Sequence, residues 1–171
     1  MNVAHYMGAP TPVEALADAV AGVAQRAARH GLAVCVEFMP EGSLVDLPTA
    51  ARIVELAGAP NVGVMLDTWH FFRTGGTPAD VAALHPGTVT GLQVSDARAR
   101  LFGVWTDAGV RERLLPGEGA IPLVEILRAV FAAHPVRDVG VEVFNTERPA
   151  GEMAAAARAA LDRVLAEIPA A

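Results

Sequence analysis

The chain contains no lysine: all 13 of its basic residues are arginine. That absence excludes Schiff-base lysine chemistry and a lysine-bearing phosphate loop. Cysteine is almost absent too. The single Cys35 sits inside an apolar run and can form no intramolecular disulfide. A small packed side chain in a reducing, cytoplasmic setting is therefore expected. Long apolar runs are missing as well. None approaches the ~20 residues that span a bilayer, and the opening MNVAHYMGAP has neither the basic start nor the apolar stretch of a signal peptide. Positive charge is scarce, with 19 acidic against 13 basic residues, a net charge of -6 and a pI near 5.3. Nucleic-acid binding depends on clustered cations, so no nucleic-acid partner and no membrane partner are expected.

What is present is a core. The 171 residues are 53% hydrophobic, with a mean hydropathy of +0.36, which suits one domain with a sizeable interior. Strand-like and helix-like segments alternate, the pattern of a parallel sheet. Thr11-Pro12-Val13-Glu14 reads as a capping box opening a helix that stops at His30-Gly31. Leu32 to Phe38, Val62 to Leu66, Val89 to Val94 and Val139 to Val143 read as strands. Further helices are expected from Pro48 to Ala57, from Pro78 towards His85, from Pro122 to Ala133 and from Arg148 to Ile168. Residues 97 to 119 are too long for an ordinary connection and read as a substrate lid or binding loop.

Four of these runs end in, or carry near their ends, an oxygen-bearing side chain: Glu37 in VCVEF, Asp67 in VGVMLD, Gln93 in VTGLQV and Glu142 in VGVEVF. In parallel β/α architectures the loops at the carboxyl ends of the strands build the active site. Hard oxygen ligands favour Mg²⁺ or Mn²⁺. The competing reading gives each carboxylate a loop amide or a neighbouring arginine as its partner. His70, in DTWH just beyond Asp67, has the chemistry to ligate metal, relay protons or bond a substrate hydroxyl. His5 lies at the chain start, and capping roles suffice for His30, His85 and His134. Leu115-Pro116-Gly117-Glu118-Gly119 is a tight turn whose glycines permit close backbone approach to a ligand, preceded by Arg111 and Arg113.

Together VEFMP, MLDTWHFFR, LQVSDA, RLLPGEGAIPL and VGVEVFN resemble the sugar phosphate isomerase/epimerase family, whose fold is the xylose isomerase-like TIM barrel. The resemblance implies a single α/β domain over residues 1–171, a partial (β/α)8 barrel of roughly the last four βα units. The parallel strands would carry outer helices, and the N-terminal strands of a complete barrel of ~250 residues would be lacking. It also implies that Glu37, Asp67, Gln93 and Glu142 hold a divalent metal, that Glu37 and Glu142 are the catalytic carboxylates, and that His70 and Arg113 contact substrate. Gln93 departs from the histidine of many members and is similar to the 3-dehydroshikimate dehydratase-like branch. The implied activity is isomerisation or epimerisation of a small hydroxy-carbonyl or sugar-like substrate through an enediolate. The alternatives are dehydration, or a non-catalytic truncated barrel, with a homo-oligomer or a partner chain completing the barrel.

Overall fold

The computed structural model describes residues 1–6, 8–98, 112–136, 138–144 and 148–168. Five parallel strands, β1 (Asn2–Ala4), β2 (Val34–Glu37), β3 (Val62–Asp67), β4 (Val89–Val94) and β5 (Val139–Val141), pair in chain order. Helices α1 (Val13–Ala28), α2 (Leu47–Ala57), α3 (Thr68–Arg73), α4 (Pro78–Ala82), α5 (Leu123–Ala133) and α6 (Ala150–Ala166) connect and cover them. The architecture is the expected partial barrel of parallel strands and outer helices. The opening segment supplies β1, paired in register with β2 through Asn2↔Cys35 and Ala4↔Glu37.

Alternation along the strands divides the sheet. Val34, Val36, Val64, Leu66, Leu92 and Val94 are buried on the helix side. They meet apolar stripes at helical spacing: Ala17, Val20 and Ala24 of α1, Leu47, Ala50 and Ile53 of α2, and Leu123, Ile126, Leu127 and Val130 of α5. The other face carries Cys35, Glu37, Met65, Asp67, Gly91 and Gln93, matched across the ladder by Glu37↔Met65, Met65↔Gly91 and Asp67↔Gln93. Every oxygen ligand candidate on a strand therefore shares one face. Among the described residues no helix is long and apolar enough to cross a membrane.

Two local expectations fail, and one helix was not expected. The capping box at Thr11 does not form: Pro12 is the N-cap of α1. Thr11 is engaged elsewhere, its hydroxyl donating to the Ala9 carbonyl at 2.8 Å and its amide to Ser43 Oγ at 2.9 Å. A capping box forms instead at α4, where Asp80 accepts from the Thr77 amide at 2.7 Å. Leu32 is 49% exposed and stands outside β2. Finally, α3 follows β3 with no intervening loop. Of the long loop, residues 99–111, Arg111 among them, lie outside the described residues.

Candidate metal centre

Asp67 organises the site from the end of β3. It is fully buried and caps α3, its Oδ1 accepting from the amides of Trp69 at 2.8 Å and His70 at 2.9 Å. The partial positive charge at a helix start favours the carboxylate form. Asp67 Oδ2 accepts from Arg113 Nη1 at 2.7 Å, a pair in which neither side chain is more than 2% exposed. Helix amides and an arginine thus do partner this carboxylate, much as the competing reading held; Oδ1 is filled by the two amides, and the open acceptor capacity lies on Oδ2. Burial works against the Asp67 carboxylate, but Arg113, His70 and the hydrogen bonds hold its pKa below the ordinary range.

Glu37, at the end of β2, is 6% exposed and accepts a hydrogen bond from Asn2 Nδ2 of β1. Burial raises its pKa, the charge on Asp67 adds to the rise, and the Asn2 bond and Arg113 oppose it. His70 Nε2 lies 4.0 Å from Glu37 Oε1 and 3.4 Å from Arg113 Nη2. A guanidinium can only donate, so His70 Nε2 accepts and the ring proton sits on Nδ1. Burial, only partly offset by Asp67, lowers the His70 pKa to about 4, which keeps the imidazole neutral. Glu37, Asp67 and His70 each offer a ligand atom, all within 4.8 Å of one another.

Glu142 follows β5, its amide bonded to the Val94 carbonyl at 3.2 Å. Its Oε2 lies 3.2 Å from Arg113 Nη1. Burial and a hydrogen bond shared with Asp67 raise its pKa to about 7 despite Arg113. Gln93 sits beside Asp67 in the ladder, with a buried Oε1 that has no hydrogen-bond partner among the described residues. A buried amide oxygen left unbonded is costly. This orphaned acceptor and the neighbouring carboxylates of Glu37 and Asp67 are a donor set that fits a divalent cation, which His70 would join by exchanging its Nε2 bond to Arg113 for the ion.

The sequence reading missed several supporting groups. Glu41 pairs with Arg73 at 2.7 Å, and the guanidinium groups of Arg73 and Arg113 lie 4.5 and 4.7 Å from the Trp69 ring centroid. Thr68 Oγ1 donates to the Ser95 carbonyl at 2.7 Å and accepts from the Ser95 amide at 3.0 Å, tying α3 to the end of β4. The alternation of β2 placed Asn2 on the Glu37 face only once β1 was known. Glu41 and Arg73 carried no spacing signal.

Inosose isomerase of Halalkalibacterium halodurans is 30% identical over 120 residues, covering 69% of this chain and 42% of that protein. 3-Dehydroshikimate dehydratase of Pseudomonas aeruginosa is 31% identical over 133 residues, covering 76% of this chain and 20% of that protein. The chain thus spans less than half the length of these two relatives. The crystal structure of the IolI protein with a bound zinc atom superposes with a TM-score of 0.85 at 22% identity, covering 99% of this chain and 64% of that one. Residues 5–164 match the family model of the xylose isomerase-like TIM barrel, and on that match the chain belongs to this family.

Proposed function

We propose that this chain carries the metal-binding, proton-transferring half of a sugar (phosphate) isomerase or epimerase. The observation behind this reading is the convergence of Glu37, Asp67 and His70 within 4.8 Å, with Glu142 sharing a hydrogen bond with Asp67 beside them. Glu37, Asp67, Gln93 and Glu142 would hold Mg²⁺ or Mn²⁺, with the His70 nitrogen in reach. When bound, the ion would polarise a substrate carbonyl and offset the charge that develops on its oxygen.

The protein's own groups supply the rest. One carboxylate of the pair Glu37 and Glu142 takes the proton from the carbon next to the carbonyl, and the bonding electrons move onto the carbonyl oxygen as an enediolate. The other carboxyl group returns a proton. A pKa near the working pH suits a group that must both accept and donate; without an ion Glu142 stands at about 7, and a cation bound beside it would lower that value. His70 and Arg113 orient the substrate hydroxyls, and Arg113 adds positive charge next to the growing oxyanion. Return of the proton at the same carbon on the opposite face gives an epimer, and at the neighbouring carbon an isomer.

A second reading has its own support. The 31% identity to a dehydratase, together with Gln93 in a ligand position, favours loss of a β-hydroxyl as water, with the second carboxyl group protonating the departing oxygen. The deciding experiment incubates the purified protein with Mg²⁺ or Mn²⁺ and either inosose or 3-dehydroshikimate, following products by NMR in D₂O. Solvent deuterium appearing in a rearranged product supports isomerisation. An unsaturated product supports dehydration. No exchange and no product on either compound rejects both.

A further inference from the structure

Asp96 lies three residues beyond Gln93, is 1% exposed, and belongs to none of the groups assigned above. Its carboxylate accepts four backbone hydrogen bonds. Oδ2 takes the amides of Gly117 at 3.0 Å and Gly119 at 2.9 Å, and Oδ1 those of Ile121 at 2.9 Å and Ala97 at 2.8 Å. Its own backbone forms an antiparallel bridge with Leu114, at 2.9 Å in one direction and 2.8 Å in the other. The glycines of this turn thus bring the backbone to Asp96. A Cβ on Gly119 would lie 2.4 Å from both Asp96 Oδ1 and the Ala97 carbonyl oxygen, and Gly117 holds a φ of +82°.

The residue before Leu114 is Arg113. Its guanidinium reaches Asp67 at 2.7 Å, Glu142 at 3.2 Å and Ser95 Oγ at 3.3 Å, while its backbone has no strand or helix to anchor it. A long side chain is delivered to a fixed point only when its own backbone is fixed. Here the fixing comes from the segment that follows Arg113: Leu114 bridges the Asp96 backbone, the amides of Gly117, Gly119 and Ile121 bond the Asp96 carboxylate, and all of it converges on one residue.

We propose that Asp96 is a positioning residue that holds the strap of residues 113–121 so that the Arg113 guanidinium stands against Asp67 and Glu142. The proposal rests on the metal-centre reading only in its first test. Asp96→Asn is the probe, because the amide keeps one acceptor and turns N–H groups towards two donors.

The test is a double-mutant cycle of Asp96→Asn with Arg113→Gln, read as Mn²⁺ affinity by calorimetry and, on the same four proteins without metal, as urea unfolding midpoints. Removing the guanidinium takes a cation from beside two carboxylates, so Arg113→Gln should tighten Mn²⁺ binding about tenfold. Asp96→Asn should tighten it severalfold by itself and by less than twofold in the Arg113→Gln background. Its shift of the unfolding midpoint should likewise be smaller in that background. Gly119→Ala, which crowds Asp96 from the strap side, should repeat both patterns and substitutes for Asp96→Asn should that variant not fold. Equal effects of Asp96→Asn with and without Arg113, or weaker Mn²⁺ binding, overturn the proposal. A wild type that binds no Mn²⁺ overturns the metal-centre reading instead, and the unfolding cycle still decides Asp96.

Discussion

Asp67 shows how much one side chain is asked to do in this site. It caps α3, neutralises Arg113 and shares a hydrogen bond with Glu142, all without solvent. Asp67→Asn keeps an oxygen for the helix amides but leaves Arg113 short of its closest counter-charge. Breaking a buried pair from one side costs about 3–5 kcal/mol, and urea unfolding should show a loss of that order. Glu142 is different, because its side chain is 30% exposed and no core rests on it. Glu142→Gln should therefore unfold near the wild-type midpoint while turnover falls about 10²–10⁴-fold, the usual contribution of a positioned acid or base. Steady-state kinetics on whichever substrate is turned over checks it, and retained activity rejects Glu142 as a proton carrier.

At the scale of the element, two features tie helices to the sheet. His134 ends α5 and is 3% exposed. Its Nδ1 accepts from the Gly87 amide at 3.1 Å, so the proton is on Nε2, which faces the Val81 carbonyl at 3.5 Å. His134 stands at the C-cap position, where its backbone amide donates to the Val130 carbonyl, but its ring joins α5 to α4 and to the turn before β4. Burial lowers its pKa below the ordinary 6.5, against a small opposing pull from the Val81 carbonyl. The folded state thus binds this proton less readily than the unfolded chain. Its contribution is complete above about pH 6.5 and is lost as the pH falls towards the depressed folded value. His134→Gln should flatten that limb of the stability curve, measured by urea unfolding between pH 7.5 and 5. At Gly76 a Cβ would fall 2.1 Å from the ring of Phe71, itself 1% exposed. Gly76→Ala should cost about 1–3 kcal/mol as an overpacked contact. These elements also show what a sequence conveys. The parallel sheet follows from the alternation of strand-like and helix-like segments, and the gathering of Glu37, Asp67 and Gln93 at one edge from their places at strand ends; both were legible. Helix α3 was not, because six residues are too few for a 3.6-residue period to emerge. Asp96 was illegible for another reason: three of its four partners are backbone amides 21 to 25 residues away, and amides leave no trace in side-chain identity.

For the whole molecule, charge balance links stability to the metal centre. Around His70, which stays neutral, the four carboxylates of Glu37, Glu41, Asp67 and Glu142 face, among the described residues, two guanidinium groups, those of Arg73 and Arg113. Like charges in a poorly solvated space repel, and the raised pKa values of Glu37 and Glu142 are that repulsion and burial expressed in protons. A divalent cation would relieve it and would bind the folded state alone, since the ligands come from strands far apart in sequence. Such binding stabilises by about 2.7 kcal/mol at a hundredfold excess over the dissociation constant. For a chain of this size that corresponds to a rise in melting temperature of roughly 5–10 °C. Differential scanning calorimetry with Mn²⁺, Mg²⁺ or Zn²⁺, and again after EDTA, should show the rise and its reversal. The rise should shrink in Glu37→Gln, which removes a ligand charge, and persist in His134→Gln, which is remote from the site. An unchanged melting temperature with every ion would mean that the carboxylates satisfy one another through protons and Arg113 alone, and that the convergence of Glu37, Asp67 and His70 serves the fold rather than a cation.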